Sequence, residues 1–118
     1  MSAKTRTTED RLRGLARGDF GALGSLSGLD DGTVEASNLD PETLRLVQIA
    51  ALTAVDAPEI SWLRHLEAAD EIELELEKIL GTLLAVTPIV GTSKVVSAGA
   101  KIVRVAALGE EFGSIDAG

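Results

Sequence analysis

Apolar residues recur at helical spacing along most of the chain, and the strongest run follows "LDPETLRLVQIAALTAV". Asp40 is placed as its N-cap, Pro41 suits the first helical position, and Glu42 lies in the first turn. Leu44, Val47, Ala51, Ala54 and Val55 make one apolar face, and Leu46, Ile49, Ala50 and Leu52 extend it nearly all round. A helix this apolar is expected at the centre of a bundle. "DAPEISWLRHLEAAD" repeats the start signal, with Asp56 just ahead and Pro58 near the first turn. Ile60, Trp62, Leu63, Leu66 and Ala69 share a broad face, with His65 at its flank. Ser61 and His65 are four residues apart, so their side chains lie on one surface.

"EIELELEKILGTLLAV" alternates over residues 72–77 as a strand would. Helix is nevertheless expected, because Glu, Leu and Lys are good helix formers and Ile79, Leu80, Leu83, Leu84 and Val86 have helical spacing. Thr87-Pro88 is expected to break it, with Thr92 or Ser93 capping a new start. The last long helix, "SKVVSAGAKIVRVAAL", holds Ala98, Gly99 and Ala100 at its middle. Glycine there costs about 1 kcal/mol against alanine, so close approach of another helix is the expected reason. Ahead of these, a short helix is read from Thr8 to Arg17, ended by Gly18, and a second, weaker one in "DFGALGSLSGL". Residues 30–38, "DDGTVEASN", read as a loop. The fold class is therefore all-α: one domain of about six helices over residues 8–108, a disordered 1–7 and a flexible acidic tail at 109–118.

Composition narrows the chemistry. Leu, Ala, Val and Ile dominate, and the aromatics are Phe20, Trp62 and Phe112, which suits packed helices better than sheets. There is no cysteine, which excludes disulfides, thiolate metal ligands and thiol redox catalysis. A single histidine is too few for a typical zinc site, so no metal or cofactor is expected. The net charge of −8 argues against a nucleic-acid partner. "MSAKTRTTED" has no apolar stretch behind it, and the uncharged run 79–93 is about 15 residues against the roughly 20 of a span. A cytoplasmic protein with no membrane contact is expected.

Charge is uneven. Lys4, Arg6, Arg11, Arg13 and Arg17 crowd the N-terminus, while Glu67, Asp70, Glu71, Glu73, Glu75 and Glu77 crowd the middle. Solvated helix faces account for both patches, and a contact between subunits is the sharper alternative. "GTSK" at 91–94 lacks the upstream glycine and residue order of a phosphate-binding loop and reads as a helix start. His65 has the one side chain that titrates near neutrality and is the candidate general acid or base, with Ser61 to orient it or to bind a substrate oxygen.

Three stretches, "LDPETLRLVQIAALTAVDAP", "SWLRHLEAA" and "LLAVTPIVGTSKVVSAGAKI", resemble the carboxymuconolactone decarboxylase family, which includes the alkyl hydroperoxidase D-like proteins. The likeness covers residues 39–108 and implies an all-helical homo-oligomer, commonly a trimer or a hexamer. The redox branch of that family carries Cys-x-x-Cys-x-x-x-His on one helix. With His65 as its histidine, the cysteine positions fall on Pro58 and Ser61, and an assisting carboxylate falls near Leu46. The resemblance thus implies the fold without thiol peroxidase chemistry. The decarboxylase branch needs no cysteine: loss of CO₂ leaves an enolate-like charge to be stabilised and a carbon to be protonated. His65 would give the proton, and Ser61, amides near Pro58 or an arginine from another subunit would hold the anion, with Trp62 as a wall for a small carboxylated lactone or keto acid; Arg45 and Arg64 are present, but nothing in the sequence aims them at the pocket. The alternative is a non-catalytic oligomer of the same fold that binds a ligand or a protein. The mean hydropathy of +0.20 also points to faces closed against other subunits.

Overall fold

A computed structural model describes residues 3–18 and 36–109, with side chains over 7–18 and 36–107. The described residues are helical, in five helices, and contain no strand. The expected second minor helix in 19–29 and the expected tail from 110 lie outside the described residues. The chain divides into two units, Met1–Leu39 and Asp40–Gly118.

In the first unit, α1 spans Ala3–Ala16. It opens within the stretch expected to be disordered, ahead of the Thr8-Glu9-Asp10 signal. Arg13 reaches Asp10 at 3.2 Å and Glu9 at 3.6 Å along the helix surface. Gly18 ends the helix as expected, with φ +78 and its N–H on the Leu15 carbonyl at 2.9 Å.

The second unit packs α2 (Pro41–Ala54), α3 (Glu59–Glu71), α4 (Leu76–Val90) and α5 (Thr92–Gly109). Helices α2 and α5 touch each other and both remaining helices, so they form the central pair. The cap signal at Asp40 is realised: its Oδ2 accepts from Thr43 N–H at 3.0 Å, and Thr43 Oγ1 donates to Oδ1 at 2.7 Å. The carboxylate is held below its ordinary pKa by the Thr43 backbone and hydroxyl donors. The core gathers Ile49, Ala57, Trp62, Ala69, Ile79, Leu83, Ala98 and Val105. The buried side of α2 differs from the expected one. Leu44, Ile49 and Thr53 are buried, whereas Val47, Ala51 and Val55 face out. Because α2 is apolar nearly all round, periodicity alone leaves its inward face undefined.

Both α2 and α3 end in the same motif. After α2, Asp56 N–H bonds to Thr53 O at 3.2 Å and Ala57 N–H to Leu52 O at 3.0 Å. After α3, Glu73 N–H bonds to Asp70 O at 2.9 Å and Leu74 N–H to Ala69 O at 3.0 Å. These are Schellman closures, with Asp56 (φ +52) and Glu73 (φ +55) in the left-handed position that glycine prefers. The second closure interrupts the expected helix at residues 72–75. Leu74 packs against the core and the neighbouring acids stay in water, and α4 starts at Leu76 with Glu75 before it.

Pro88 does not end α4, which runs on to Val90. The ring sits in the last turn on the exposed side, where the lost N–H leaves only the Leu84 carbonyl without a helical donor. The break comes instead at Gly91, whose φ of +92 turns the chain in one residue and whose N–H bonds to Thr87 O at 2.9 Å. α5 then begins at Thr92, with Gly91 rather than Thr92 or Ser93 in the cap position. A Cβ built at Gly99 meets nothing within 4 Å, so among the described residues no helix approaches it closely. The neighbouring Ala98 is buried in the core.

Candidate functional site

The helix that carries the sequence candidates starts at Pro58, whose extended ψ of 162 sets the chain up for α3. Pro58 O accepts from Ser61 N–H at 3.0 Å and Trp62 N–H at 3.3 Å. Two of the first-turn amides proposed to hold an anion are therefore engaged. Glu59 adds a carboxylate to the same turn, paired with Arg104 through Nε and Oε1. Ser61 and His65 are both half-buried on one side of α3, and His65 Nδ1 is shielded from solvent. Trp62 is completely buried in the core, and its indole N–H has no hydrogen-bond partner among the described residues. Trp62 thus sits at the centre of the packing. Arg45 donates to Gln48 Oε1 on its own helix at 3.0 Å, and Arg64 is exposed.

The densest polar cluster lies where α5 meets the α2–α3 turn. Asp56 Oδ1 accepts from Ser97 Oγ at 2.6 Å and from Lys101 Nζ at 2.8 Å, and Lys101 also donates to Ala57 O at 2.8 Å. The Lys101 and Ser97 donors, in that order, hold the Asp56 carboxyl below its ordinary pKa. A serine and a lysine one turn apart suggest nucleophile chemistry. Here Ser97 donates to the Asp56 carboxylate and Lys101 is ion-paired with the same oxygen. The cluster ties the left-handed residue of the turn to α5. In the sequence Asp56 reads only as a start signal, because its partners Ser97 and Lys101 lie more than 40 positions away.

A cleft of about 490 Å³ opens on another side of the bundle. Leu63, Leu66 and Ala69 of α3, Ile79 of α4, and Ile102 and Val105 of α5 give it apolar walls, while Glu67 and Asp70 also line it. Ser61, Trp62 and His65 do not line it. The "GTSK" segment follows a helix, not a strand, and its residues are exposed at the start of α5. Among the described residues no three of His, Asp and Glu come together as a metal site, and no helix is long and apolar enough to cross a membrane.

The fold and its polar geometry define an all-helical protein. Comparison with known protein families, with characterised proteins and with solved structures returns no match.

Proposed function

We propose that the chain is a non-catalytic helical protein that works by associating with copies of itself. The observation that carries this reading is the outer side of α4. From Leu80 to Ile89 every exposed position is apolar: Leu80, Gly81, Leu84, Ala85, Pro88 and Ile89. Leu80, Leu84 and Ile89 are 55%, 61% and 86% exposed. Contiguous apolar surface of this kind marks an interaction site on a folded protein. Burying those three side chains on two copies contributes on the order of 10 kcal/mol. Association costs roughly 4–15 kcal/mol, so the gain is of the right size for a reversible assembly.

Gly81 supports the same reading. It weakens the middle of a helix, yet a Cβ there would meet nothing in the chain. With Ala85 one turn on, it leaves a low track between leucines along which a second helix can lie. The resemblance to an oligomeric family points the same way. The decarboxylase reading draws less support, because Ser61 and His65 stand apart from the cleft and the start of α3 already carries Glu59.

Sedimentation velocity at micromolar concentration tests the proposal. The wild type is expected as a dimer or larger, and Leu84→Glu as a monomer of unchanged helicity, since Leu84 faces water. A monomeric wild type refutes self-association. Decarboxylation of carboxylated lactones or β-keto acids that vanishes in a folded His65→Ala variant refutes the non-catalytic part.

A further inference from the structure

We propose that the cleft between α3, α4 and α5 binds a small amphiphile with an apolar body and a cationic head. Its volume of about 490 Å³ is within the usual range for one drug-sized ligand. Leu63, Leu66, Ile79, Ile102 and Val105 offer an apolar wall from three helices. The charged groups there are of one kind, the carboxylates of Glu67 and Asp70, one turn apart on α3, and among the described residues no basic side chain lines the cleft.

Neither carboxylate takes part in an ion pair among the described residues. Among the described residues of this unit, Lys78 pairs with Glu42, Lys101 with Asp56 and Arg104 with Glu59. No described ion pair or side-chain hydrogen bond engages Glu67 or Asp70. Glu71, Glu73, Glu75 and Glu77 follow within the same corner and add to the negative potential. An anionic or carboxylated ligand is repelled from such a mouth, whereas an ammonium group is drawn to it and its alkyl portion enters the apolar walls. The acidic run, which as sequence reads as a solvated face, thereby acquires a partner of stated chemistry.

The test titrates octyltrimethylammonium, octyl glucoside and octyl sulfate, each below its micelle concentration, while amide resonances are followed by NMR. Saturable shifts are expected at Ile102, Val105 and Leu66. The cation should bind about tenfold more tightly than the glucoside, from two partly exposed charge contacts, and the sulfate least tightly. Glu67→Gln with Asp70→Asn should remove the cation's advantage and leave glucoside binding unchanged. Ala106→Trp, which fills the cleft from α5, should weaken all three. Equal binding of cation and glucoside, a preference that survives the double substitution, shifts located elsewhere, or no saturable binding each overturn the proposal.

Discussion

Two acids in one backbone conformation show how context sets the sign of a substitution. Asp56 and Glu73 both sit in the left-handed position of a helix closure, which costs a non-glycine residue roughly 1–2 kcal/mol. The Glu73 side chain is exposed, and no described ion pair or side-chain hydrogen bond compensates. Glu73→Gly is therefore expected to raise stability by about 1 kcal/mol in urea unfolding. Asp56→Gly relaxes the same torsion but removes the acceptor shared by Ser97 and Lys101, and Lys101 is only 16% exposed. A net loss of stability is expected there. Asp40 and Asp56 also set the acid limb. Their folded pKa values lie below the unfolded ones, so the unfolded chain binds more protons. Their contribution is present above about pH 4 and disappears as pH falls through the lower folded values. Unfolding curves from pH 6 to pH 2 should show this loss, and Asp40→Ala should flatten it.

Elements were legible in the sequence where a local signal is enforced locally. The Asp40-Pro41-Glu42 start of α2 and the stop at Gly18 are of this kind, since cap and torsion act within a few residues. The closure at Glu73 was not legible, because glutamate carries no turn preference and the decisive event is the burial of Leu74 in a distant core. Pro88 misled for the converse reason: a proline in the final exposed turn removes little. As for the candidate site, the shared surface of Ser61 and His65 follows from helical spacing, and the burial of Trp62 does not. Gly99 turns this into a measurement. Its missing Cβ has open space, so Gly99→Ala is expected to add about 1 kcal/mol through helix propensity alone. A loss on thermal or urea unfolding would restore the idea of a close helix contact, contributed by another copy.

For the whole molecule, the outward apolar surfaces matter more than any single residue. If α4 is covered by a second copy, the melting temperature must rise with protein concentration, because association draws on the folded form. It should depend little on salt, since the exposed positions of α4 beyond Lys78 carry no charge. Scanning calorimetry over a hundredfold range of concentration, at low and high salt, reads both. The one-residue joint at Gly91 carries a consequence of another sort. If its torsions relaxed to helical values, α4 and α5 would fuse into a single rod of 34 residues, roughly 50 Å long. α5 would then leave its own bundle, and the vacancy could be filled by the α5 of another molecule making the same excursion. The two backbone dihedrals of one residue thus separate a chain that completes its own core from one that trades its last helix with a neighbour.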